Sequence, residues 1–572
     1  MIFMSKAFGC SVKEKLLFLY GRKSAEETGR KLQTLLNRYG KKIPKRSYHF
    51  SEKDTVLITY SDAFLRAGEN PLRTLSDFCS RHLKGIFSTV HILPFFPYSS
   101  DDGFSVIDYR KVNPDLGSWN DIEELGKGFE LMFDAVINHI SKQSGEFSGF
   151  LNGDKRYRDF FIVTDERWDL SNVFRPRALP LLTEFETATG KKKVWTTFSS
   201  DQIDLNFSNP DVLLFIVETL LIYISHGASI IRLDAIAFLW KESGTSCLHL
   251  PQTHTVVKLF RDILDLVAPH VKIITETNVP HKDNISYFGS GKDEAHLVYN
   301  FALPPLTAHT LITGDAVPLT RWARNLDTPG SGTCFYNFTA SHDGVGMLPA
   351  SGLISVKQID DLAQYTVDRG GRLGYKSNPD GTKTVYELNI SLFDLISDPG
   401  SKEPLERKVA RFVLSQGIAL SLKGVPAVYY HSLVGSQNYE EGVRHTGMNR
   451  SINREKLSVE ETENELSSPG SRRNLVFEKL THLIEVRAQH PAFHPFGGQK
   501  VLELHNEVFA LERYAPSHDE TVLVLINCSD GTVELEAGTR GGKDLLTGKE
   551  CSGKICLEPF EILWLQRSPR SS

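Results

Sequence analysis

The stretch ASIIRLDAIA (228–237) is a run of branched apolar residues that ends on a carboxylate. Ile230–Leu233 reads as a strand buried on both faces, since it lacks the polar alternation of a half-wetted strand. Arg232 and Asp234, two residues apart, share a face of it. Seven further runs of this kind stand at Val56–Tyr60, Val90–Leu93, Met132–Ile137, Lys272–Thr275, Leu297–Phe301, Phe335–Phe338 and Val425–Tyr429. Helical periodicity separates several of them: in 256–268, Val256, Phe260, Ile263, Leu264 and Val267 recur every three or four residues. Eight strands alternating with helices predict an α/β fold, a parallel (β/α)8 TIM barrel.

The intervals between runs are unequal. Almost a hundred residues part the third strand from the fourth, which predicts an inserted subdomain at 141–200. A second insertion, 345–405, follows the seventh strand; its Gly, Asp and Ser around Asp368–Gly371 predict a loop-like segment at the barrel mouth. After a last helix near 475–490 the period shortens to two, in segments such as Glu507–Arg513 and Thr521–Asn527, so 491–566 reads as an antiparallel β domain and 567–572 as a tail. The catalytic barrel is then 51–490, preceded by a helical extension, 1–50.

The 572 residues carry a net charge of -5, which argues against a partner held through backbone phosphates; no nucleic acid is expected. Residues 1–50 hold twelve Lys or Arg against three acidic residues, and the extension is read as a solvated basic helix. Seven scattered cysteines without a CxxC pair predict neither a disulfide framework nor a zinc site. The start MIFMSKAFGC lacks a signal-like apolar segment, and the longest apolar run, 212–224, is too short to span a membrane. A cytoplasmic location without membrane contact is expected. The GSGK string (289–292) lacks the first glycine of a phosphate loop and reads as an ordinary loop.

In a parallel barrel the chemistry sits where strands end. Here the fourth strand ends on Asp234, the fifth on Glu276, and the seventh is followed by Ser341-His342-Asp343. Arg232 beside Asp234 is expected to hold that carboxylate ionised and to lower its pKa, which suits a nucleophile. Glu276, preceded by apolar residues, is expected to stay protonated near neutrality through desolvation, which suits a general acid. Two carboxyls with separated pKa values are what retaining glycoside chemistry requires.

The strings DAVINH (134–139), IRLDA (231–235), ITET (274–277) and ASHDG (340–344) resemble, in order and spacing, the four signature regions of the alpha-amylase family, glycoside hydrolase family 13. QIDLN (202–206) resembles its fifth region and GVPAVYY (424–430) its eighth strand. The strings at 91–119, RPRALP (175–180) and RSINR (450–454) are most similar to the sucrose phosphorylase branch. The resemblance implies Asp234 as nucleophile, Glu276 as acid/base and Asp343 as transition-state stabiliser. It implies Arg232, His139 and His342 in the donor-sugar pocket, with Asp101 and Arg450 as the pair that closes its far end. Phe198 and Gln202 match subsite positions, and Arg177, with Arg175 as the fallback, matches the phosphate or acceptor position.

The implied reaction is phosphorolysis of a small α-glucoside to α-glucose 1-phosphate by double displacement, with phosphate a co-substrate and no cofactor. Asn138 matches a calcium-ligand position of some amylases, but the branch generally lacks that ion and no metal is expected. Three members of the branch fit: sucrose phosphorylase, sucrose 6-phosphate phosphorylase and, closest in motifs such as SSDDGFSVIDY (99–109) and 238–254, glucosylglycerate phosphorylase. An anionic acceptor needs a cation, for which Arg177, Arg444 and Lys241 are candidates. The alternative within the fold is an α-glucoside hydrolase or transglucosidase. Oligomeric state is left open.

Overall fold

A computed structural model describes residues 6–330, 332–378, 381–536 and 541–567. The eight expected strands are present and close one parallel barrel in chain order: β1 (Val56–Thr59), β2 (Thr89–Ile92), β3 (Glu130–Ala135), β4 (Ala228–Leu233), β5 (Lys272–Thr275), β6 (Leu297–Tyr299), β7 (Cys334–Asn337) and β8 (Val425–Tyr429). β8 returns to β1, with Val56 opposite Ala427. Nearly every strand residue is buried, as expected for a sheet lined by side chains within and helices without. The register sets the height at which each strand ends: Arg232 stands opposite Asp134 on β3 and Ile274 on β5, and Leu233 opposite Thr275. Asp234 and Glu276 therefore leave neighbouring strands at one level, at the C-terminal mouth.

Between β3 and β4 the chain forms an antiparallel pair, His139–Ser141 with Gln202–Asp204, and a three-stranded sheet of Val163–Thr164, Gly190–Trp195 and Leu182–Thr187. After β7 the insertion is more ordered than the loop expected of it. Helix Val356–Asp368 is followed by strands Arg372–Ser377 and Lys383–Asn389, which join Val345–Gly346 in a sheet. The Gly- and Asp-rich tract is only the turn between that helix and the next strand. The C-terminal segment carries a six-stranded sheet whose last strand, Ile562–Arg567, takes in the first residue assigned to the tail; the rest of that tail lies outside the described residues.

The extension is a helix, α1 (Lys6–Tyr39), broken only at Gly21, whose φ of 70° favours glycine. It is not simply solvated. Val12, Leu16, Leu19, Leu32 and Leu36 are buried, and the helix packs on α2 (Pro210–Ser225) and α3 (Pro251–Val267). Its cations pair inward: Lys15 with Asp262 (2.7 Å), Lys31 with Asp211 (2.9 Å) and Arg38 with Glu218 (3.2 Å). Part of the sequence's charge asymmetry is thus matched within the chain. Among the described residues no helix is long and apolar enough to cross a membrane.

Candidate active site

A cavity of about 730 Å³ opens at the C-terminal mouth of the barrel, lined by Asp234, Glu276 and Asp343 together with Asp101, His139, Arg177, Phe198, Gln202, His342 and Arg450. The three carboxylates foreseen from separate strand ends thus meet in one space. Arg232 lies beneath it, 1% exposed, and donates through Nη1 to Asp234 Oδ1 at 2.8 Å and also to Asp134. The second oxygen of Asp134 accepts from His91 Nε2 at 2.6 Å. Arg232 is further held between the rings of Phe104 (5.7 Å) and Tyr299 (5.4 Å). A guanidinium gripped this way has one orientation, and Asp234 inherits it.

Glu276 is fixed differently. Its Oε2 accepts from the backbone N–H of Ala235 at 2.9 Å, the residue after Asp234. Ala235 has a φ of 48°, a conformation that costs a non-glycine residue about 1–3 kcal/mol and that marks functional sites.

The electrostatics depart from expectation at Asp234. Burial raises its pKa to about 7, because the cost of desolvating its charge outweighs the help of Arg232. Burial also raises Glu276 to about 7, reinforced by the charges of Asp234 and Asp343 and opposed by Arg232. Burial thus raises both carboxyls, and Asp234 is not lowered as the sequence reading had it. What distinguishes the groups is the hydrogen bond from a cation: Asp234 has one and Glu276 has none, so Glu276 is the better holder of a shared proton. Asp343 is held well below the carboxylate range, since the guanidinium groups of Arg450 and Arg454 overcome its burial. His342, kept neutral by burial, stacks on Phe104 at 4.8 Å.

His139 Nε2 donates to the carbonyl of Phe104 (2.9 Å), and Gln202 Nε2 donates to the same oxygen (3.0 Å). Phe198 packs against His139 and Phe238 at 5.3 and 5.4 Å, an apolar wall. Behind this wall lies a buried cluster whose pairing the sequence reading did not foresee. Lys241 Nζ, in a side chain 1% exposed, donates to Asn138 Oδ1 (2.8 Å) and pairs with Asp204 (2.6 Å). Asn138, the residue at the amylase calcium position, thus faces an ammonium. Lys241 does not line the cavity and is corrected as an acceptor cation; so is Arg444, which is exposed and outside it.

The Asp101–Arg450 pairing also needs correction. Asp101 faces Arg454 (3.3 Å), whereas Arg450 bridges Asp343 and Glu387. Both arginines stand in RSINR, and a three-ten turn, Asn449–Asn453, aims them apart. Glu387, from the insertion after β7, carried no sequence signal. Arg177 lines the cavity, but Arg175 does not; it donates instead to the carbonyl of Leu179 and braces the loop.

Residues 82–324 match the family model described as alpha amylase, catalytic domain. The chain is 48% identical to the glucosylglycerate phosphorylase of Allomeiothermus silvanus, over 97% of this chain and 98% of that one. It is 51% identical to the glucosylglycerate phosphorylase of Spirochaeta thermophila, over 97% and 98% respectively. Among solved structures it resembles sucrose 6F-phosphate phosphorylase from Thermoanaerobacter thermosaccharolyticum, with a TM-score of 0.73 and 25% identity over 88% of this chain and 98% of that one.

Proposed function

The chain belongs to the alpha-amylase family, glycoside hydrolase family 13, among its glucoside phosphorylases, and on that premise we propose that it interconverts glucosylglycerate and phosphate with glycerate and α-glucose 1-phosphate. Asp234 attacks the anomeric carbon while Glu276 gives its proton to the departing glycerate oxygen, leaving a β-glucosyl ester on Asp234. Phosphate then attacks from the vacated side, Glu276 takes a proton from it, and retained α-glucose 1-phosphate leaves. Two inversions account for the retention.

The observation that carries this reading is the Ala235 N–H to Glu276 contact, which seats the acid beside the nucleophile's own backbone at 2.9 Å. Arg232 stabilises the charge of Asp234 before attack and after release. Asp343, kept ionised by Arg450, faces the positive charge that develops on the sugar ring. His139, His342 and the Asp101–Arg454 pair bound the donor sugar, and Phe198 and Gln202 wall it. Arg177 meets the anion, because it is the cavity cation not committed to a hydrogen bond among the described residues.

The test is to incubate the protein with glucose 1-phosphate and, separately, glycerate, fructose, fructose 6-phosphate and glycerol, and to measure phosphate release. Release with glycerate above the others is expected. Preference for fructose or its phosphate would assign the sucrose-type alternatives instead. Equal release without any acceptor would mean hydrolysis.

A further inference from the structure

The double displacement leaves Glu387 without a task, although it lines the cavity and is 2% exposed. It lies on the strand Lys383–Asn389, opposite Gly374 and Gly346 of the neighbouring strands. Its approach to the barrel mouth depends on Gly344, where a Cβ would stand 2.6 Å from Glu387 Cγ. A carboxylate beside the entry path of an anion is a puzzle, since like charges at short range in a partly dry site repel by several kcal/mol.

We propose that Glu387 is a specificity-determining group that admits only anions bearing a hydroxyl besides the one that reacts, dihydrogenphosphate and small dihydroxy acids. The inference rests on the phosphorylase reading and deepens it. Arg450 donates to both oxygens of Glu387, Nη2 to Oε1 at 2.6 Å and Nε to Oε2 at 3.2 Å. A carboxylate offers about four lone-pair positions, so each oxygen keeps one. Arg177 Nη1 stands 3.9 Å from Glu387 Oε2, too far for a hydrogen bond; its side chain is 28% exposed. The cavity therefore presents a guanidinium with open donors beside a carboxylate with open acceptors.

An anion that reaches Arg177 must also face Glu387. A bare oxyanion is repelled there, whereas one with an O–H donates it and turns the repulsion into a charge-assisted hydrogen bond. Near neutral pH phosphate is populated as dihydrogenphosphate, whose two P–OH groups supply the proton that Glu276 takes and the hydrogen bond to Glu387, and glycerate carries, besides the reacting C2 hydroxyl, a second one at C3. Sulfate, of similar size, has no proton to give, and lactate lacks the C3 hydroxyl. One Arg–Glu pair thus serves both nucleophiles of the reversible reaction.

The experiment measures sulfate as a competitor of phosphate in phosphorolysis, and lactate against glycerate as acceptor with glucose 1-phosphate, in the wild type, Glu387→Gln and Arg177→Gln. In the wild type the sulfate inhibition constant is expected to exceed the phosphate KM at least about tenfold, and glycerate to outrun lactate by a similar factor, the scale of one hydrogen bond to a charged group. Glu387→Gln narrows both ratios; Arg177→Gln weakens phosphate and sulfate together. A wild type that takes sulfate as well as phosphate overturns the proposal without recourse to any variant, and so does a folded Glu387→Gln with unchanged ratios. A wild type that forms no phosphate-dependent product overturns the phosphorylase reading itself.

Discussion

Lys241 and Asp204 form a buried ion pair at 2.6 Å directly behind the pocket wall, and Asp204 also accepts from Thr197 N at 2.8 Å and from Asn138 Nδ2 at 3.0 Å. The pair locks β3's exit, the inserted strand Gln202–Asp204 and the loop after β4 to one another. Asn138 and Gln202, the one adjoining His139 and the other lining the cavity, are placed by it. Lys241→Met leaves Asp204 buried without its cation, which typically costs about 3–5 kcal/mol. Thermal unfolding is expected to show a lower Tm, with sugar KM rising before kcat falls; an unchanged Tm would remove Lys241 from this role.

The Asp101–Arg454 assignment is open to a double-mutant cycle. Asp101→Ala with Arg454→Ala is expected to show a coupling of about 0.5–3 kcal/mol in donor-sugar kcat/KM, as residues in direct contact do. The cycle with Arg450→Ala is expected to show the smaller coupling, because Arg450 is engaged by Asp343 and Glu387. The reverse order would favour an Asp101–Arg450 pair.

Glu276→Gln separates acid catalysis from nucleophilic attack. With glucosylglycerate, whose leaving oxygen needs a proton, turnover is expected to fall about 10²–10⁴-fold. With α-glucosyl fluoride, whose leaving group needs none, formation of the glucosyl enzyme should survive. Equal losses on the two donors would deny Glu276 the acid role. Asp234→Ala should abolish turnover on both.

The raised carboxyls predict how stability varies with pH. Asp234 and Glu276 have folded pKa values of about 7, above the ordinary carboxyl range, so the folded state binds protons that the unfolded chain has released. Their contribution is fully present below pH ~4 and is lost as pH rises to about 7. Asp234→Asn removes one of the two charges while Arg232 keeps Asp134 as partner. The variant is expected to gain stability at pH 7.5, on the order of 1–3 kcal/mol and seen as a higher Tm, and to gain little near pH 4. A gain that grows toward acid would have the wrong sign for burial as the cause.

The same values set the activity profile. Attack needs Asp234 ionised and departure needs Glu276 protonated, a combination populated over a narrow range when both values lie near 7. A kcat/KM profile with an optimum about neutrality is expected for phosphorolysis, falling on either side. A broad plateau across several pH units would mean that bound sugar or phosphate separates the two pKa values.

The barrel was legible because its strands are continuous apolar runs, and burial on both faces imposes that composition whatever the neighbours are. Asp234, Glu276 and Asp343 were legible for a related reason: residues just past a strand's C-terminal end reach the mouth by chain geometry alone. Arg232 was readable from period two on its own strand. Asp134 stood inside a motif string, yet its partnership with Arg232 depends on the β3–β4 register, a pairing between segments nearly a hundred residues apart.

Glu387, Lys241 and the choice between Arg450 and Arg454 belonged to the tertiary structure. Each acts through a contact whose partner lies far along the chain or in an insertion, and no local period records which side chain a turn will aim at which carboxylate. The direction of Asp234's titration, expected to be downward, was overturned for the same reason. Arg232 beside it argues for a low pKa and burial for a high one, and only the depth of the folded pocket sets their balance. Local pattern determined where the carboxylates leave their strands; long-range packing decided what charge they carry and which groups hold them.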